Sequence, residues 1–214
     1  MNFTSSARIF QFGDKQITVL VPDAGWMQQD YLERKHKDSS LVFPYWSQVW
    51  PAAMGLCNFL AAHTFYIENK KVTELAAGLG LPSLLAAAYA SEVHGSDYIP
   101  EAVEMMQLSA QENGYSNMQF NVADWNHLPE DQYPDVLLLS DINYEPAAFD
   151  QLHYMLIQFL QAGTTILLST PQRLMAKSFI GRLLPFCVEQ EEYSISMDQY
   201  EEPVLVSVLV LKSL

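Results

Sequence analysis

Apolar positions along the chain fall into two rhythms. Short runs such as Val72 to Ala76 and Asp135 to Leu139 have the length and aliphatic content of buried strands, whereas longer stretches such as Pro100 to Asn113 repeat their apolar residues at helical spacing. After Asn69-Lys70-Lys71 the two kinds of segment alternate. Strands are predicted over Val72 to Ala76, Val93 to Ser96, Met118 to Val122, Asp135 to Leu139 and Thr164 to Ser169. Helices are predicted over Pro82 to Ala90, Pro100 to Asn113, Ala147 to Leu160 and Gln172 to Leu184, with Gly114 as a stop signal. The end of the chain breaks the alternation, because Phe186 to Met197 and Val204 to Lys212 read as long strands with no helix between them. The first part calls for parallel strands with helices on both faces, and the ending for an antiparallel hairpin at one edge. The fold class is therefore α/β, a Rossmann-like sheet.

Ahead of this unit, alternating segments around Arg8 to Phe12 and Gln16 to Val21, parted by Gly13-Asp14-Lys15, predict an N-terminal β-hairpin extension. From Asp23 to Phe43 the pattern is weak and carries the charged patch Glu33 to Asp38, consistent with a cover over a site or with a solvated helix. An aromatic segment, Phe43 to Pro51, then leads into a helix over about Ala52 to His63, with Pro51 at its start. Such aromatics can line a ligand pocket or fill the space beneath a helix. The expected organisation is a hairpin and cover segment over residues 1–43 and one compact domain over 44–214.

The 214 residues suffice for one α/β domain with a sizeable core. No apolar run approaches the roughly 20 residues needed to span a bilayer, and the N-terminus lacks the form of a secretory signal. A cytoplasmic protein without membrane contact is the expectation. Cys57 and Cys187 stand far apart in apolar surroundings, and the five histidines form no paired-ligand spacing, so no metal is expected. A net charge of -14 argues against nucleic acid, whose binding rests on neutralising phosphates, and favours a basic partner. It also serves solubility alone.

The chemistry sits at the strand ends. Val72-Thr73-Glu74-Leu75-Ala76-Ala77-Gly78-Leu79-Gly80-Leu81-Pro82 places an acid at a strand's end, then a turn of small residues, then a helix start. Small residues allow close approach of a ligand, and the helix offers unpaired N–H groups. A dinucleotide fingerprint would end in glycine, but here Ser83 stands in that place. Glu74 would repel a pyrophosphate and attract the cationic amino group of S-adenosylmethionine. Asp97 ends the second strand, placed for ribose hydroxyls, and Asp124-Trp125 follows the third, placed for an adenine amine and ring. Ser140-Asp141-Ile142-Asn143-Tyr144 follows the fourth strand. There Asp141 would orient an amine acceptor, and Tyr144 would hydrogen-bond its nitrogen or present its ring face. Asp141 does not by itself deprotonate a lysine, because a nearby carboxylate favours the charged amine.

These motifs together resemble class I S-adenosylmethionine-dependent methyltransferases, and more narrowly the seven-β-strand protein-lysine methyltransferases of family 16. The marks are Trp50-Pro51 before the first helix, Glu74-Leu75-Ala76-Ala77-Gly78-Leu79-Gly80-Leu81-Pro82 against the family's E-L-G-x-G-x-G-L-P, and Asp141-Ile142-Asn143-Tyr144 against its D-x-x-Y. The likeness covers Trp46 to the C-terminus. It implies strand order 3-2-1-4-5-7-6 with the last strand antiparallel, donor contacts from Glu74, Gly78, Asp97, Asp124 and Trp125 with Trp50 nearby, and substrate positioning by Asp141 and Tyr144. Ala76 and Gly80 of the turn and Ser140 at the fourth strand's end complete the expected donor-contact set. Ala76 departs from the family's usual glycine, and an alanine there calls for an ordinary backbone conformation that narrows the approach. The function implied is N-methylation of a protein lysine. A small-amine or nicotinamide-type N-methyltransferase and a non-catalytic cofactor-binding module are the alternatives.

Overall fold

The computed structural model describes residues 3–39, 41–128 and 133–213. Strands β1 (Ser5–Phe12) and β2 (Lys15–Pro22) form an antiparallel hairpin about Gly13 and Asp14. The weakly patterned stretch after it is a helix, α1 (Ala24–Lys35), started by Asp23, whose side chain accepts the Trp26 N–H at 2.7 Å. The aromatic segment then leads to α2 (Pro51–Ala62). Next come β3 (Lys71–Glu74), α3 (Leu81–Ala87), β4 (Glu92–Asp97), α4 (Pro100–Glu112), β5 (Met118–Val122) and β6 (Val136–Ser140). The rest is α5 (Phe149–Gln161), β7 (Thr165–Pro171), α6 (Lys177–Leu183), β8 (Cys187–Ile195) and β9 (Val204–Leu211).

Seven strands form one sheet in the order β5-β4-β3-β6-β7-β9-β8. Counted from β3, this is 3-2-1-4-5-7-6, and β9 runs antiparallel to both β7 and β8, as the sequence implies. β6 reads as an unbroken apolar run from Val136 to Leu139 because helices cover both faces of the sheet there. In β6, Val136 and Leu138 enter a core with Leu56, Phe59 and Leu60 of α2, Leu84 and Leu85 of α3, and Met105 of α4. Leu137 and Leu139 point the other way, into a core with Leu152 and Leu156 of α5 and Phe179 and Leu183 of α6. The period-two alternation of a strand thus serves two cores at once.

The hairpin packs onto this unit rather than standing apart from it. Ile17, Val19 and Val21 of β2 belong to the same core as α2, α3 and α4. The free edge of β2 is capped by side chains at the end of α4: Oδ1 of its C-cap Asn113 accepts the Thr18 N–H at 2.9 Å, and Asn113 Nδ2 donates to the Thr18 carbonyl at 2.7 Å. Ser109 Oγ accepts the Leu20 N–H at 3.0 Å. The helix expected from Gln172 is shorter than its apolar spacing suggests. The chain after β7 first makes a turn that ends in the 3-10 stretch Leu174–Ala176, and only then winds into α6.

Candidate functional site

All the strand-end motifs lie at the carboxyl edge of the parallel strands, where α/β sheets bind ligands. A cavity of about 1100 Å³ opens there. Its floor is the turn between β3 and α3, lined by Ala76, Ala77, Gly78, Leu79, Gly80 and Leu81. Ala76, Gly78 and Gly80 all take left-handed backbone conformations, with φ of 51°, 55° and 68°. The sequence-based expectation of an ordinary conformation at Ala76 is therefore corrected. The turn imposes its geometry on alanine at a steric cost of about 1 kcal/mol that glycine would not incur. At Gly80 glycine is required twice over, because a Cβ would also lie 2.7 Å from the Met106 side chain.

Asp97 is buried at the end of β4 and lines the cavity. Its Oδ2 accepts the Gly78 N–H at 2.8 Å, and its Oδ1 accepts the Ile99 N–H at 3.0 Å. Burial raises its pKa, and the N–H groups of Ile99, Gly78 and Tyr98 oppose the shift.

Glu74 behaves differently from the expected donor contact. It is fully buried beneath α3 and does not line the cavity. Its Oε2 accepts from the Ser83 N–H at 2.9 Å and from the Ser83 hydroxyl at 2.5 Å, so the acid is spent on the start of α3. Its Oε1 has no hydrogen-bond partner among the described residues. Burial pushes its pKa up to about 8, opposed by Ser83 and, more weakly, by Ser140.

Asp124 and Trp125 are likewise absent from the described lining of the cavity. Asp124 pairs with His127 at 3.0 Å, and Trp125 packs against the core beneath α5 and α6. Trp50, Ala76, Gly78, Gly80, Asp97, Ser140, Asp141 and Tyr144 are brought together around the one space.

The opposite wall is aromatic. Trp50 Nε1 donates to the Tyr45 carbonyl at 2.7 Å, which fixes the indole at the N-terminus of α2. The Tyr45 ring lies 5.9 Å from both Trp50 and Tyr144, and 5.2 Å from Phe43, which in turn meets Tyr31 of α1. The segment read as either cover or solvated helix thus forms a wall of the cavity through Trp26, Asp30, Tyr31 and Arg34. Tyr144 is 47% exposed and stands at the mouth. Its pKa is raised by burial and by neighbouring Tyr98, Glu145 and Asp97, so the phenol keeps its proton near neutral pH.

Asp141 lines the cavity with its backbone in the left-handed region, at φ 58°. Its N–H donates to the Ser169 carbonyl at 2.9 Å, prolonging the β6–β7 ladder by one residue. Its carboxylate is held by Arg173 in a two-pronged ion pair, with Nη2 donating to Oδ2 at 2.8 Å and Nη1 donating to Oδ1. The sequence reading missed Arg173. The available signal was a lone cation just past the end of β7, next in the sheet to the strand that carries Asp141. Among the described residues, one group could gather a metal ion: His63, Glu189 and Glu191, at the β8 edge and outside the cavity. His63 already bonds to Glu191, while Tyr66 donates to Glu189 and Tyr193 to Glu191.

Comparison with known proteins places this site in context. A family described as "Lysine methyltransferase" matches residues 4–184, which takes in the hairpin that the sequence resemblance left out. The human protein named "Histone-arginine methyltransferase METTL23" is 33% identical over 49% of this chain and 58% of its own length. The mouse "EEF1A lysine methyltransferase 3" is 30% identical over 76% of this chain and 70% of its own. The chain spans about half the length of the METTL23 relatives, 58% of the human and 51% of the rat protein. Among solved structures, a T. thermophilus 16S rRNA methyltransferase in complex with AdoMet and guanosine aligns with a TM-score of 0.64 at 15% identity, over 98% of this chain and 51% of that one. The N-methyltransferase NodS from Bradyrhizobium japonicum aligns at 0.54 and 13% identity, over 75% and 94%. At such identities these structures speak to the fold alone.

Proposed function

We propose, since the chain belongs to the lysine methyltransferase family, that it transfers a methyl group from S-adenosylmethionine to a lysine ε-amine of a basic protein. The residues present fit that donor. Three left-handed residues at alternate positions, Ala76, Gly78 and Gly80, open the β3–α3 turn for close approach, and a buried acid, Asp97, faces the same space. Ala76, Gly78 and Gly80 would bear on the donor through their backbone, Asp97 would accept from its hydroxyls, and Trp50 would flank it. When bound, the donor supplies a methyl carbon whose bond to sulfur breaks, leaving the electron pair on sulfur, as the acceptor nitrogen's lone pair forms the new N–C bond.

The observation that carries the reading is the placement of Asp141 and Tyr144 on the rim of the cavity that holds the cradle. Asp141 offers carboxylate oxygens to the acceptor's N–H groups, and Tyr144 offers a hydroxyl and a ring face at the entrance. The cavity lining contains six acids, Asp30, Asp38, Asp97, Glu101, Glu104 and Asp141, against two arginines, Arg34 and Arg173. That balance favours a cationic protein segment and disfavours a phosphate backbone. The exposed Tyr45, Tyr98, Tyr144 and Met175 around the entrance offer the apolar contact that such a segment needs.

Methylation of arginine is a second reading, supported by the printed name of the METTL23 relatives. Incubation of a native lysate with labelled S-adenosylmethionine, followed by mass spectrometry, separates the two. The label is expected on a protein lysine. Label confined to arginine, nucleic acid or a small amine would reject this assignment.

A further inference from the structure

Arg173 is the cation of the cavity wall that holds the proposed substrate-positioning acid, Asp141, and the reading above gives it no task. Its backbone is fixed in the turn after β7, where its N–H donates to the Pro171 carbonyl at 2.8 Å and its carbonyl accepts the Ala176 N–H at 3.1 Å. From that anchor its guanidinium closes the two-pronged pair on Asp141. The Asp141 side chain is 12% exposed and that of Arg173 34%, so the pair sits at the solvent boundary of the cavity with the acid on the inner side.

A lysine acceptor reacts through its lone pair and so must shed its proton before transfer. A bare carboxylate beside it opposes that loss by stabilising the ammonium. A guanidinium in forked contact cancels the carboxylate's charge, yet uses only two of its roughly four lone-pair sites. The acid can then still accept an N–H from a neutral amine without favouring the charged form. We propose that Arg173 is a positioning residue that neutralises Asp141, so that the site admits the acceptor amine uncharged; this rests on the lysine reading above.

The titratable group that faces the pair itself is Tyr200 between β8 and β9; the nearby Tyr144 is in turn surrounded by Glu145, Asp97, Tyr98 and Tyr45. Burial pushes the phenols of Tyr98, Tyr144 and Tyr200 above the ordinary value, so they do not add charge near neutral pH.

The test compares the full-length wild type with Arg173→Gln and Arg173→Lys. Each receives labelled S-adenosylmethionine and a heat-treated, dialysed lysate as acceptor pool, and the initial rate of lysine labelling is followed from about pH 6.5 to about 9.5. Arg173→Gln should be about tenfold slower at neutral pH and recover in alkali, its profile displaced upward by about one pH unit. Arg173→Lys, which keeps the charge without the fork, should retain the wild-type profile at a lower rate. An equal loss at every pH in both variants, or an unmoved profile in Arg173→Gln, would overturn the proposal while leaving the lysine reading intact. No lysine labelling by the wild type would remove both. Should Arg173→Gln fail to fold, the Arg173→Lys profile decides: unmoved supports the proposal and displaced overturns it. An independent readout is the guanidinium N–H spectrum by NMR. Arg173 should give exchange-protected signals that vanish in Asp141→Asn, and unprotected signals in the wild type would contradict the pairing.

Discussion

Asp97 Oδ2 accepts the Gly78 N–H at 2.8 Å, tying the end of β4 to the turn that follows β3. One carboxylate therefore shapes the cradle and faces the ligand space. Asp97→Ala should lose both effects and weaken S-adenosylmethionine binding by about 2 kcal/mol, roughly 30-fold in Kd, because hydrogen bonds to a charged group are among the stronger ones. Isothermal titration checks this, and an unchanged Kd would remove Asp97 from the site.

Glu74 makes a prediction about pH. Its folded-state pKa of about 8 lies above its ordinary value of 4.5, so the folded protein keeps a proton that the unfolded chain releases between those values. Stability must then fall as pH rises through that window, by an amount on the order of a few kcal/mol. Glu74→Gln removes the titration, and its stability should decline less from pH 5 to 8 than that of the wild type. Parallel chemical denaturation of the two proteins at each pH supplies the comparison; identical slopes would contradict the buried, protonated acid.

How far these features can be read from the sequence differs between scaffold and site. Strand order and the terminal hairpin follow from alternation and resemblance, because the apolar runs of β6 and β7 admit only a strand covered on both faces. Asp97 and Asp141 are legible because they stand at or just past strand ends, the cradle because small residues follow β3, and Tyr144 through the D-x-x-Y resemblance. Glu74 also closes a strand, but pleat direction decides whether such an acid faces the cavity or the underside of a helix, and here Ser83 captures it. Asp124 and Trp125 rest on strand position and on the resemblance, neither of which tells which way a side chain turns after β5, and here Trp125 packs against the core. Arg173 stayed hidden because its partner is 32 residues away and meets it only across adjacent strand ends.

Tyr144 meets Tyr45 at 5.9 Å and stands at the entrance. Tyr144→Phe keeps the ring and loses the hydroxyl, so kcat/KM for the protein acceptor should fall about tenfold with donor affinity unchanged. Tyr144→Ala should fall further. Steady-state kinetics beside donor titration separate these effects, and equal values for Phe and wild type would leave the hydroxyl without a role.

Asn113 carries the hairpin's attachment through both ends of its amide, at 2.9 and 2.7 Å from the Thr18 backbone. Asn113→Ala leaves a half-buried donor and acceptor of β2 unpaired, at a cost of about 1 to 3 kcal/mol. Thermal unfolding should register the loss, while an unchanged midpoint would show that the α4 contact contributes little.

The most direct test of the central claim is methyl transfer by Asp141→Asn alongside the wild type, with donor binding measured on both. The wild type should label a protein lysine, and Asp141→Asn should bind S-adenosylmethionine as the wild type does yet transfer about 100-fold more slowly. Full transfer by Asp141→Asn, or label on something other than a lysine, would contradict the account.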